Sequence, residues 1–173
     1  VSFVDPAATQ DPAVNLVAID TWGDAVNTYQ NDLRGAKAGC LLSTVAATVA
    51  GTKTIIPFAS ESYDVQACHS TVSNTSRITI PTGWGGLWMI GANLRYTNNV
   101  FTLYFVLNGD TTNGLIWAKS SNAWTAGDTS RVSVDTIYRF TAGDYVEIAL
   151  DGTGAGSVFT GDNSYFWAQF LHG

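Results

Sequence analysis

Near its C-terminus the chain carries a segment that cannot leave either of its sides to water. In Ser164-Tyr-Phe-Trp-Ala-Gln-Phe-Leu171, Phe166, Ala168 and Phe170 point one way while Tyr165, Trp167 and Leu171 point the other, because strand side chains alternate with a period of two. A strand apolar on both faces needs cover on both. One face can line a sandwich core. The other is covered by a neighbouring copy of the same chain or, alternatively, by further layers of a larger monomer. The preceding segment, Thr141 to Leu150, is simpler: after the Gly143-Asp144 turn, Val146, Ile148 and Leu150 alternate with Tyr145, Glu147 and Ala149, as in a strand with one buried face. The glycine-rich stretch Asp151 to Asn163 joins the two and reads as a mobile loop. Its Gly152-Thr-Gly-Ala-Gly156 has no following helix to hold a phosphate, and Asp151 and Asp162 flank it with the wrong charge.

The same two-residue period runs back through the chain. Trp88, Ile90, Ala92, Leu94 and Tyr96 share one face, and Phe101, Leu103, Phe105 and Leu107 share another before the turn Asn108-Gly109-Asp110, a strong hairpin signal. Thr54 to Phe58, Arg77 to Pro81, Leu115 to Lys119 and Arg131 to Phe140 read as further strands. About eight short strands with turns at this spacing, and no helix to cover a parallel sheet, predict an all-β sandwich or barrel.

The N-terminal stretch differs. Asp5-Pro6 and Asp11-Pro12 favour an extended arm. A helix follows, with Thr21 as cap, Asp24 as its capping partner and Gly35 as its stop. Trp22, Val26, Tyr29 and Leu33 form one stripe along it, and a helix this short needs a packing partner. That partner is the chain's own sheet or a larger assembly. Gly35 to Gly39 reads as a linker, giving an N-terminal anchoring region at 1–39 and a β domain at 40–173.

A net charge of −6 offers no basic stripe for a phosphate backbone, so nucleic acid is not an expected partner. The longest weakly polar run, Cys40 to Gly51, is too short to cross a bilayer, and no charged-then-apolar leader suggests a signal peptide. Cys40 and Cys68 are too few for a disulfide scaffold. They are expected as two buried thiols, with a single bridge as the alternative. His69 and His172 lie far apart in sequence and fit no metal-ligand spacing, and no nucleophile elbow occurs. No catalytic residue, metal or cofactor is expected. Of the six tryptophans, Trp88 and Trp167 fall on strand faces and read as core. Trp84, Trp117 and Trp124, at or near turns, are the candidates for ligand contact.

Three patterns in order resemble the jelly roll of complement C1q and tumour necrosis factor, in the branch found in bacteriophage and bacterial proteins. They are Ile56-Pro-Phe-Ala-Ser-Glu-Ser-Tyr-Asp64 with His69 to Pro81 and the Gly86-Leu-Trp88 turn; Tyr104-Phe-Val-Leu-Asn-Gly109; and Gly143-Asp-Tyr-Val-Glu147 with the closing strand Phe166 to Leu171. Cys68 before His69 and the Trp84-Gly85-Gly86 turn depart from the pattern. A second stretch, Thr21-Trp-Gly-Asp-Ala-Val-Asn27 with Leu33 beyond, is similar to short N-terminal helices of phage virion proteins. The resemblance implies a compact jelly-roll trimer about a three-fold axis, used for binding or scaffolding. It also implies a structural, hydrogen-bonding His69. Tyr145, Tyr165, Trp167 and Leu171 are the residues expected at the trimer interface. Some relatives bind calcium, and Asp110, Asp128, Asp144, Asp151 and Asp162 offer oxygens, but without EF-hand spacing they read as turn residues.

The function this predicts is a non-enzymatic, trimeric surface protein of a bacteriophage virion, of capsid decoration or cement type. Its partners would be itself and other virion proteins. The alternatives are a receptor-binding knob of a tail or head fibre, facing a host glycan or protein, and a bacterial adhesin or lectin-like module.

Overall fold

A computed structural model describes residues 35–97, 100–122, 130–160 and 164–173. The predicted arm and the stripe Trp22, Val26, Tyr29 and Leu33 lie outside the described residues, as does Trp124. Among the described residues, the unit Ala36–Gly173 has twelve strands and no helix. In chain order these are β1 (Lys37–Leu41), β2 (Ala46–Thr48), β3 (Thr54–Ile55), β4 (Ser60–Val65), β5 (Arg77–Thr79), β6 (Gly86–Tyr96), β7 (Val100–Leu107), β8 (Leu115–Asn122), β9 (Ser130–Phe140), β10 (Tyr145–Gly152), β11 (Gly156–Val158) and β12 (Tyr165–His172).

The strands form two antiparallel sheets. In the first, β4, β1, β12 and β6 lie side by side. β9 runs the length of β6, and β11 with β2 joins its far end. In the second, β8, β7 and β10 are neighbours, and β5 and β3 share the remaining edge of β10. Some neighbours in the sheets are distant in the chain: β12 lies between β1 and β6. The result is a jelly-roll sandwich.

The predicted alternation sets the inner faces. Trp88, Ile90, Ala92, Leu94 and Tyr96 of β6 are buried, as are Phe101, Leu103 and Phe105 of β7 and Val146, Ile148 and Leu150 of β10. Leu107, expected in phase with its strand, is only partly buried, because the β7–β8 register shifts between Phe105 and Val106. Phe166 stands where the sheets meet, its ring 5.6 Å from Phe58 and 6.4 Å from Phe105. The Asn108-Gly109 turn carries φ of +52° and +74°, the left-handed pair that the hairpin signal requires.

Two expectations about connections are corrected. Gly35 to Gly39 is not purely linker: β1 begins at Lys37, Ala36 and Ala38 are fully buried, and β1 pairs with both β12 and β4. Small residues looked like a spacer; here they occupy a strand with neighbours on both sides. The stretch after Leu150 likewise contains β11. It folds over Tyr96, whose hydroxyl donates to the Gly154 carbonyl at 3.3 Å and also meets the Thr48 hydroxyl.

Cys40 and Cys68 are buried free thiols, the first of the two expected states. Burial pushes Cys40 up, helped by the charges of Glu61 and Asp64. Burial, then Asp64, pushes Cys68 up to about 12. Both thiols therefore stay protonated and unreactive at neutral pH. A disulfide-exchange reagent should modify neither in the native protein and both in denaturant; rapid native labelling would contradict the burial. Replacing Phe166 with Ala should lower stability by about 3–5 kcal/mol, read as a fall in the urea midpoint. An unchanged midpoint would mean that this ring does not join the sheets.

Candidate functional site

The first sheet has a second face, turned away from the core, and its register can be read row by row. Leu41, Tyr165, Asn93 and Ser133 form one row across β1, β12, β6 and β9. Gly39, Trp167, Gly91 and Asp135 form the next, with Tyr63 of β4 opposite Gly39. Lys37, Gln169, Met89 and Ile137 form a third. Tyr63 and Ile137 remain 45% and 57% exposed, so this face presents large apolar groups to solvent in the single chain.

Two glycines shape its centre. A Cβ at Gly91 would collide with the Trp167 indole, and one at Gly39 would sit 2.6 Å from Cε1 of Tyr63. Each ring thus lies down over a strand glycine, a close approach that any side chain there would block. Between the rings is a cavity of about 330 Å³ lined by Leu41, Ser62, Tyr63, Tyr165 and Trp167. In the row of Tyr165, Oδ1 of Asn93 is buried with no hydrogen-bond partner among the described residues. Buried polar atoms normally have one.

Of the residues predicted for an interface, Tyr165 and Trp167 lie together on this face, while Leu171 sits at the register shift between Phe170 and His172. Trp167 was also expected as core, yet it points outward and is half-buried, whereas Trp88 is fully buried. Tyr145 lies elsewhere, on the outward face of the second sheet beneath the Arg77 guanidinium, 4.6 Å from its ring centroid. The thickness of the core separates it from Tyr165 and Trp167, so the four do not form one patch. Neither Tyr63 nor Ile137 was anticipated. Ile137 had a signal: it is the apolar residue in the outward phase of β9, among Arg131, Ser133, Asp135 and Arg139. Gly39 and Gly91, glycines inside strands, were the other legible marks.

The ligand-contact candidates do not converge. The Trp84 ring packs edge-on against Phe170, with centroids 5.0 Å apart, and its carbonyl accepts the Trp88 indole N–H at 2.9 Å. It covers the end of the core. Trp117 lies in β8, opposite Phe105 in the register.

The turn aspartates have local duties. Asp110 Oδ1 accepts the backbone N–H groups of Asn113 and Thr112, each at 2.9 Å, and these bonds hold its carboxyl below the usual range. Asp144 accepts from the Asn108 side chain and from the Thr141 N–H. Asp128 and Asp162 lie outside the described residues. Among the described residues, no group of three or more His, Cys, Asp or Glu side chains could hold a metal.

His69 is enclosed in the loop after β4. Its Nδ1 lies 2.8 Å from Glu61 Oε1 and its Nε2 3.1 Å from the Thr75 carbonyl oxygen. Asp64 accepts the backbone N–H groups of Cys68 and His69. This is a structural, hydrogen-bonding role.

No family model and no curated protein sequence matches the chain. Solved structures match it in shape. An Eiger TNF from S. frugiperda aligns with a TM-score of 0.59 at 10% identity, covering 80% of this chain and 94% of that one. Murine APRIL at pH 5.0 gives 0.62 at 6% identity, over 79% of this chain and 99% of the other. The globular domain of zebrafish complement 1qA gives 0.58 at 11% identity, over 79% and 98%. At such identities the likeness speaks for the fold and not for a shared activity: the chain has the jelly-roll fold of the TNF and C1q globular domains.

Proposed function

We propose that this chain is a non-enzymatic, trimeric surface protein of a bacteriophage virion, of capsid decoration or cement type. The observation that carries the assembly is the outward face of the first sheet. It joins exposed Tyr63 and Ile137, rings laid over Gly39 and Gly91, and an open cavity. A second copy of the chain would cover the apolar area, and a cyclic arrangement would close without leaving an open end. The virion setting rests on the sequence resemblances, including that of the N-terminal helix. In this reading residues 1–34 anchor the protein to the particle and the jelly roll projects outward.

The receptor-binding alternative draws on the projecting knob, its glycine-rich outer loops and the ligand-contact set Trp84, Trp117 and Trp124. With Trp84 packed against Phe170, that set is weakened, and decoration stands ahead of both the knob and the adhesin readings.

Light scattering on the purified protein should give the mass of three chains. Trp167→Asp and Ile137→Asp should each give the mass of one chain with an unchanged β-sheet circular dichroism spectrum, because the interface would otherwise bury an unpaired charge. A trimer surviving both changes would place the interface elsewhere. On virions, a specific antibody should label the head, and removing residues 1–34 should abolish incorporation while leaving a folded domain. Label confined to tail or fibre tips would favour the receptor-binding knob; particles without label would exclude the virion role.

A further inference from the structure

The outward face of the second sheet carries an arginine that forms no ion pair among the described residues. Arg77 and Thr79 flank the buried Ile78 in β5, so both point away from the core. The Arg77 guanidinium lies against the Tyr145 ring, and no carboxylate of the described residues stands within ion-pair reach of it. Glu147 is its partner in the β5–β10 register, yet that carboxylate accepts the Ser76 hydroxyl at 2.5 Å instead. Stacking uses the flat face of a guanidinium and leaves the N–H donors around its edge. Arg77 lines a cavity of about 220 Å³ together with His69, Ser70, Ser73, Asn74 and Thr79. The wall of this cavity is fixed. Asp64 accepts the N–H groups of Cys68 and His69, and the Ser70 hydroxyl accepts those of Val72 and Ser73. The Thr79 N–H donates to the Cys68 carbonyl at 2.7 Å, and the Arg77 N–H to that of Asn74 at 3.2 Å. A site already in shape costs little to order on binding.

We propose that this cavity binds an acidic sugar, with Arg77 holding the sugar's carboxylate and Ser70, Ser73, Asn74 and Thr79 meeting its hydroxyls. The edge of a guanidinium matches a carboxylate through two parallel hydrogen bonds. The rest of the lining offers hydroxyls and an amide, groups that donate and accept as sugar hydroxyls do. Both His69 ring nitrogens are already engaged, with Glu61 and the Thr75 carbonyl, so that ring forms wall rather than contact. The neighbours set the charge of the ligand. Arg77 is the one permanent cation of the lining, and Glu147 stands opposite it in the register, which favours a singly charged group over a phosphate dianion. The volume lies below the roughly 300 Å³ at which pockets for drug-sized ligands begin, so it suits one small unit rather than a length of chain. This inference rests on the outward face of the second sheet and does not depend on the assembly proposed above.

The test is an NMR titration of the 15N-labelled full chain with methyl β-glucuronide, alongside methyl β-glucoside, acetate and inorganic phosphate at matched ionic strength. The glucuronide should shift the backbone amides of residues 67–79 and the Arg77 Nε–H, and the shifts should saturate. The glucoside lacks the charge and acetate lacks the hydroxyls, so each should bind about tenfold more weakly or worse. Arg77→Gln should remove the glucuronide response, and Arg77→Lys should weaken it, because an ammonium has no planar fork. Glucoside, acetate or phosphate binding as tightly as the glucuronide overturns the proposal, and so does a response that survives Arg77→Gln. Should the glutamine variant not fold, the wild-type Arg77 Nε–H decides. Its movement with the glucuronide but not the glucoside supports the site, and its stillness while other amides shift overturns it.

Discussion

The structure depends on β12 being a central strand whose two edges are both paired. Hydrogen-bonded to β1 on one side and β6 on the other, it brings Phe166 and Ala168 into the core, and its Phe170 packs against Trp84 and Trp88. Both pairings join segments far apart in the chain. That is slow, non-local pairing, and burial must offset its entropy. The supply of aromatic rings explains how. Phe58, Phe105 and Phe166 span the gap between the sheets, and each large ring removes much apolar surface from water.

The same strand couples the interior to the outward face. Trp167 sits between two core-facing residues of β12, so its position follows from theirs, and it can lie flat because Gly91 beside it has no Cβ. Tyr63 uses Gly39 in the same way. Cross-strand packing of rings on glycines compensates for the packing surface that a glycine removes from a strand. It also makes a smooth apolar surface of the kind suited to meeting another protein.

The polar features follow a different logic. Asp110, Asp144 and Asn108 complete turns, while Glu61, Asp64 and His69 organise a loop around two buried thiols. Asp110 and Asp144 need no metal to explain their places. Each answers a nearby backbone or side-chain donor, which is the usual fate of a buried or turn-forming polar group.

Much of this was legible in the chain. The period of two in β6, β7, β10 and β12 marked the inward residues, and Asn108-Gly109 marked a turn, because alternation and left-handed φ are local properties of the backbone. That β12 had two apolar faces was equally plain. What alternation leaves open is which strand lies beside which. Tyr145 and Tyr165 look alike in sequence, each opening a strand in the outward phase, yet the sheets carry them to opposite sides of the sandwich. The alanines and glycines before Cys40 read as a spacer, and only pairing with β12 and β4 made them a strand. The Glu61–His69 contact and the rings over Gly39 and Gly91 likewise arose when separate segments came into register. The sequence by itself determined which residues must leave water; the tertiary structure decided which of them meet, since register and sheet order are set by contacts between segments far apart in the chain.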